Sequence, residues 1–179
     1  VTISTAFRTA IETGTSLQPL IDNFKESCDT ESPYQDILLP FLNAEIDSAL
    51  KELESQTGKK FGGVDNPLLV SVRSGAKFSM PGMMETILNV GMTPDVATGL
   101  AQQTSNPGFA WDSYRRFIDL YGRIVCGISK DSFGEIDQTY LQTANVKTVD
   151  KLDFEQTKLL ITDYIKLIEK YEGKPFSVN

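Results

Sequence analysis

The spacing of apolar residues predicts helices over most of the chain beyond position 40. From Pro40, apolar residues recur at three- and four-residue intervals, and this stripe ends before Gly58. Four further helices are predicted, beginning at Thr93–Pro94, Asn106–Pro107, Ser129 and Asp153. Thr, Asn, Ser and Asp are common N-caps, and Pro is favoured at the first helical position. The last of these helices is expected to stop at Gly173.

Two short apolar runs predict strands instead. Leu68 to Val72 is bounded by Pro67 and Gly75, and Glu85 to Val90 follows the turn at Pro81–Gly82. Since strands precede Gly91 and helices follow it, an α+β fold is expected. The division predicts a mixed α/β lobe over residues 1–91 and a helical subdomain over residues 92–179, packed against each other.

Charge and composition remove several classes of function. Lys and Arg total 17 against 24 Asp and Glu, so the net charge is −7. No basic run could neutralise a phosphate backbone, so nucleic acid is not an expected partner. A single nucleotide needs only one or two well-placed cations and stays open. No apolar run approaches the ~20 residues of a membrane span, so no membrane association is expected.

The chain contains no His. Pairs of Ser or Cys with a His base are therefore excluded, as are His-ligated metals. Cys28 and Cys126 match no metal or redox spacing and are expected to be buried or free thiols. The chain opens on VTIST without Met, which we interpret as a hint of truncation.

The stretch LLVSVRSGA, from Leu68 to Ala76, could bind an anion. Its Arg73 offers a planar fork of donors to phosphate, and the small residues after it let backbone N–H groups approach closely. An arginine after a strand is also often an ordinary surface residue. The following SMPGMM packs three Met around a turn, and these side chains suit either a flat adenine pocket or a core.

Other candidate positions are weaker. Arg115 and Arg116 flank the apolar stripe of Tyr114 to Val125, so both are expected on the solvated surface, with a ligand or lobe contact as the alternative. No Walker A loop, no GxGxxG fingerprint and no carboxylate set spaced for Mg²⁺ is found.

The run VSVRSGAKFSMPGMMETILNVGM, from Val70 to Met92, resembles the nucleotide-binding domain of the pyruvate phosphate dikinase family. The resemblance continues through Asn106–Pro107 and the segment DSYRRF from Asp112 to Phe117. Gly58 to Gly62 and the opening VTIST are also similar. Phosphoenolpyruvate synthases share the Val-Arg-Ser core but not the Met-Pro-Gly-Met-Met block.

This resemblance implies part of an ATP-grasp type nucleotide-binding domain. In that family ATP and Mg²⁺ are used to phosphorylate a His on a mobile domain, which carries the group to a pyruvate-binding barrel. By matching position, Arg73 would contact the ATP phosphates and stabilise charge during transfer. Met84 and Thr86 would lie near the nucleotide, and Arg116 is a further candidate. The phosphohistidine and pyruvate-binding domains are expected on the same polypeptide, in a homodimer located in the cytoplasm or an organelle.

The chain also departs from the family pattern. The glycine-rich loop with its Lys is expected before VTIST, and the acidic metal-binding residues after Asn179, so the chain alone is expected to be inactive. Glu85 replaces the usual Asp, and residues 14–40 look longer than the family norm. Two alternatives stay open: a related dikinase with another acceptor, and a non-catalytic interaction module of the same fold.

Overall fold

The computed structural model describes residues 35–73 and 86–176, with the side chains of 35–43 and 73 outside the description. The chain divides into two compact units, Val1–Gly58 and Lys59–Asn179. In the first unit, helix α1 spans Gln35–Thr57, so it begins five residues before Pro40 and ends next to Gly58, as predicted. The predicted division into an α/β lobe over residues 1–91 and a helical subdomain over residues 92–179 stays a prediction.

The second unit begins with two pairs of short strands. Strand β1, Lys60–Phe61, runs parallel to β2, Pro67–Leu68. Strand β3, Val70–Arg73, runs antiparallel to β4, Thr86–Val90, with a register shift between Val70 and Val72. The predicted strand over 68–72 is thus divided between two partners, since its first residue joins β1 and its last three join β4.

Helices follow the strands at the predicted positions. They are α2 over Pro94–Thr104, α3 over Pro107–Ile124, α4 over Lys130–Ala144, a 3₁₀ turn over Val149–Lys151, and α5 over Phe154–Glu172. Side-chain caps explain their starts, because Thr93, Asn106, Ser129 and Asp153 each accept a hydrogen bond from a backbone N–H of the first turn. The α+β prediction is confirmed at this level.

The hydrophobic core of the second unit lies among these helices. Met92, Val96, Ala97, Ala110, Ile118 and Leu160 have no solvent exposure at all. Burial of each larger apolar side chain contributes about 1.5–3 kcal/mol relative to exposure. Helix α3 is central, since it packs on α2, on α5 and on strand β4. The core therefore fixes the position of β4, which carries one of the candidate site residues.

The side chain of Phe133, on α4, packs against α3 at Gly122. A Cβ at this position would collide with the aromatic ring of Phe133, which itself packs edge-to-face on Tyr164 with ring centroids 4.9 Å apart. Aromatic pairs favour this perpendicular arrangement. The small residue thus lets the three helices share one aromatic contact.

Within the described ranges, no helix combines the length and the apolar character that crossing a membrane requires. Cys126 is a free, half-buried thiol, as expected, and burial raises its pKa above the ordinary value. Cys28 lies outside the described residues.

Candidate functional site

Strands β3 and β4 bring two predicted site residues opposite each other. Arg73 is the last residue of β3, Thr86 is the first of β4, and they are direct partners in the antiparallel pair. Directly opposed residues in such a pair have Cα atoms about 4.5–5.5 Å apart. Thr86 is half-buried. The backbone therefore holds positions 73 and 86 side by side at one end of the strand pair.

The third predicted residue of this segment, Met84, lies outside the described residues, as does Glu85. The structure does describe the two positions that flank the run from 74 to 85, namely Arg73 before it and Thr86 after it. The predicted contact of Met84 with a nucleotide stays a prediction.

A side-chain hydrogen bond fixes β4 on helix α3. Asn89 adopts a left-handed backbone conformation with φ of 59°, which Asn tolerates better than most residues. Its Nδ2 donates to the carbonyl oxygen of Ser113 at 3.0 Å. Ser113 lies next to Asp112, so the strand that begins at Thr86 is joined to the turn of α3 that carries Arg116.

A cavity of about 520 Å³ lies beside the strand pair. It is lined by Phe61, Gly62, Val72, Ile87, Val90, Gly91, Met92, Thr93, Phe117, Tyr121 and Val125. Gly91 is required at its edge, because φ is +100° and a Cβ would lie 2.8 Å from the Phe61 ring. Most of these described lining residues are apolar, so this part of the cavity suits apolar contacts.

Arg116, the predicted residue on α3, presents its guanidinium at the surface. Its side chain is 54% exposed and forms an ion pair with Asp112 four residues earlier. Both Nε and Nη2 contact Asp112 Oδ2 at 2.8 Å. Exposure agrees with the prediction for Arg116, and its role toward a ligand stays a prediction.

The expectation of a solvated surface position is wrong for Arg115. This residue is only 8% exposed, and its Nε and Nη2 contact Asp112 Oδ1 at 2.9 and 2.8 Å. It also interacts with Tyr164 of α5, which helps to raise the pKa of the guanidinium, and the Tyr164 hydroxyl donates to Asp137 of α4. The correction has a physical reason, since a buried guanidinium requires partners, and Asp112 on the same helix is joined here by Tyr164 from a helix distant in sequence.

Burial and charge act against each other in this network of Asp112, Arg115, Tyr164 and Asp137. Burial lowers the pKa of Arg115, but Asp112 and Tyr164 outweigh it, so the net pKa is raised and the guanidinium stays charged. Burial raises the pKa of Asp137 above its usual range, although Tyr164 and Arg115 pull it down. The pKa of Tyr164 is also raised, first by burial and then by Asp137.

The predicted residues therefore lie in two separate places, one on the strand pair and one on α3. Arg73 and Thr86 are paired, whereas Arg116 is joined to them through Asn89 and Ser113. Asn89 is three positions beyond Thr86 along strand β4, which corresponds to about 10 Å. Across the described ranges, no group of three or more Asp, Glu, Cys or His side chains is placed to hold a metal ion.

Comparison with known proteins gives the family. No family model matches the chain. It is 41% identical over 138 residues to the pyruvate, phosphate dikinase of Entamoeba histolytica, a match that covers 77% of this chain and 16% of that protein. It is 39% identical over 163 residues to the chloroplastic enzyme of Mesembryanthemum crystallinum, covering 91% and 17%. For the Giardia intestinalis protein the identity is 44% over 135 residues, covering 75% and 15%.

These matches cover most of this chain but only a small part of each relative. The chain belongs to the pyruvate, phosphate dikinase family, in which it corresponds to one segment. The resemblance expected from the Val70 to Met92 run is thereby confirmed. The chain spans about a sixth of the length of the relatives it matches.

Proposed function

We propose that the chain contributes one wall of an ATP site in a pyruvate, phosphate dikinase. The full-length protein would interconvert ATP, phosphate and pyruvate with AMP, pyrophosphate and phosphoenolpyruvate, through a phosphohistidine on another domain. The observation that carries the proposal is the direct pairing of Arg73 with Thr86 in a chain 39% to 44% identical to dikinases.

The chemistry at this pair fits a phosphate-facing role. Arg73 keeps its charge at any physiological pH and can bind phosphate oxygens through two parallel donors. A hydroxyl beside it, from Thr86, adds a donor without competing charge. Phosphoryl transfer depends on positioning and charge stabilisation, so an arginine at the phosphates accelerates the reaction without itself being altered.

Other parts of the site would come from elsewhere in the full-length protein. Mg²⁺, which the family uses, would neutralise phosphate charge when bound, but the described residues supply no cluster of ligands for it. We therefore assign it no ligand in this chain. Met84 and Arg116 would contact the nucleotide, the domain would be of ATP-grasp type, and the full-length protein would act as a homodimer in the cytoplasm.

The test is the formation of AMP by the full-length protein. With radiolabelled ATP, phosphate and pyruvate, we expect AMP and labelled products that depend on all three substrates. AMP formation that proceeds without pyruvate and with a different acceptor would indicate a related dikinase. No AMP formation and no ATP binding by the intact protein would contradict the proposal and favour a non-catalytic interaction module.

A further inference from the structure

Asp112 holds two adjacent arginines with one carboxylate. Its Oδ1 accepts from Arg115 and its Oδ2 from Arg116, each through Nε and Nη2 at 2.8 or 2.9 Å. The carboxylate therefore contacts the same edge of both guanidinium groups. One of these groups is buried and the other is exposed.

The buried side of this arrangement is anchored from two other helices. Arg115 is buried close enough to Tyr164 of α5 to interact with it electrostatically, and the Tyr164 hydroxyl donates to Asp137 of α4. Asp112 itself is only 20% exposed. Its carboxylate is therefore held in place by a buried network, unlike the carboxylate of an ordinary surface ion pair, which is free to change rotamer.

The anchored carboxylate of Asp112 restrains the exposed arginine, Arg116. An arginine on a helix surface normally samples many rotamers, and ordering it on ligand binding costs entropy. Asp112 restrains Arg116 through its Nε edge, so the edge formed by Nη1 and Nη2 points away from the carboxylate. That second edge has the spacing that matches two oxygens of a phosphate group.

We propose that Asp112 is a positioning residue that orients the Arg116 guanidinium toward the phosphates of the nucleotide. The inference rests on the proposed function, because it takes Arg116 as part of the nucleotide site. Asp112 acts through Arg116 and makes no contact with substrate itself. The buried Arg115–Tyr164–Asp137 group transmits rigidity from the helical core to this surface arginine.

Helix α3 also contains a matched control. Asp119 and Arg123 form an ion pair with the same four-residue spacing, through Nε and Nη2 at 2.9 Å each. Asp119 is 21% exposed, almost equal to Asp112. Asp119→Asn therefore removes the same type of charge from the same helix without touching Arg116.

The experiment is a double-mutant cycle in the full-length protein, read out as equilibrium affinity for ATP and for adenosine. We expect Asp112→Asn to weaken ATP binding about 10- to 100-fold, the change in affinity that the loss of a hydrogen bond to a charged group produces. Adenosine, which lacks phosphates, should bind unchanged. In an Arg116→Ala background, Asp112→Asn should add less than about twofold, since coupled residues are not additive. Asp119→Asn should leave both affinities unchanged.

Three results would overturn the inference and leave the proposed function intact. Asp112→Asn could weaken ATP and adenosine equally, it could have the same effect in the Arg116→Ala background, or Arg116→Ala could leave ATP affinity unaltered while Arg73→Ala weakens it. If Asp112→Asn does not fold, Asp112→Glu is used instead, because it keeps the charge but displaces the carboxylate by one methylene. In this variant too, ATP affinity is expected to fall and adenosine affinity to stay unchanged. If the proposed function itself is wrong, Arg73→Ala will leave the affinity for ATP unchanged.

Discussion

At the scale of single residues, neighbours in sequence differ sharply in environment. Arg115 is buried and Arg116 is exposed, although both bond the same carboxylate of Asp112. Local spacing predicts that both arginines lie on the solvated surface, and this prediction is correct for Arg116. It misses the burial of Arg115, because Asp137 and Tyr164 come from α4 and α5 and leave no signal in the local pattern.

The hydroxyl of Tyr164 is expected to be important for stability. Tyr164→Phe leaves the Asp137 carboxylate and the Arg115 guanidinium without a shared partner, which should cost about 1–3 kcal/mol of unfolding free energy. Tyr140→Phe is the control, since Tyr140 donates to Asp163, which keeps Lys166 as a partner. Urea titration monitored by circular dichroism measures both. Equal losses in the two variants would contradict a special role for the buried network.

The carboxyl group of Asp137 predicts a pH dependence. Burial raises its pKa in the folded state above the ordinary 3.8. A carboxyl whose pKa is raised by folding binds its proton more tightly in the folded state. Its contribution is thus fully present below the unfolded pKa and is lost as pH rises through the folded pKa. The stability of the wild type relative to Asp137→Asn should therefore fall as pH rises from about 4.

Unfolding free energies of wild type and Asp137→Asn, measured in urea at a series of pH values, check this expectation. Asp163→Asn serves as a comparison of opposite sign, because bonds from Lys166 and Tyr140 lower the pKa of Asp163. If the wild type becomes more stable relative to Asp137→Asn as pH rises, the assigned direction of the pKa shift is wrong.

At the scale of elements, the helices and most of strands β3 and β4 were predictable from the sequence, whereas strands β1 and β2 were not. Each helix of the second unit starts at a capping residue that the sequence identifies, and α5 ends at Gly173 as expected. Strands β1 and β2 have two residues each, too few for an alternating pattern. The pairing of Arg73 with Thr86 follows from register, which residue chemistry alone does not give.

The contact of the Phe133 ring with Gly122 gives a prediction with an internal control. Gly122→Ala places a methyl group against the Phe133 ring, and such overpacking costs about 1–3 kcal/mol, more than the helix propensity it gains. Gly134→Ala on α4 meets nothing within 4 Å and should stabilise the protein by about 0.5–1 kcal/mol. Thermal unfolding compares the two, and stabilisation by Gly122→Ala would contradict the close contact of the Phe133 ring with Gly122.

At the scale of the whole molecule, the chain corresponds to about a sixth of a dikinase. A site wall that provides few of the contacts to a triphosphate cannot offset the entropy lost on binding. We therefore expect the 179-residue chain to bind ATP at least ~100-fold more weakly than the full-length protein. Isothermal titration calorimetry on both proteins measures this, and equal affinities would contradict the view that other segments complete the site.

The central claim is that Arg73 faces the phosphates of ATP, and single-turnover phosphoryl transfer in the full-length protein tests it most directly. Arg73→Ala should slow transfer from ATP by at least about 100-fold, the loss expected when a donor to developing charge is removed. Ser71→Ala, an exposed position on the same strand, is the control and should retain the wild-type rate. Transfer by Arg73→Ala at the rate of the wild type and of Ser71→Ala would contradict the claim.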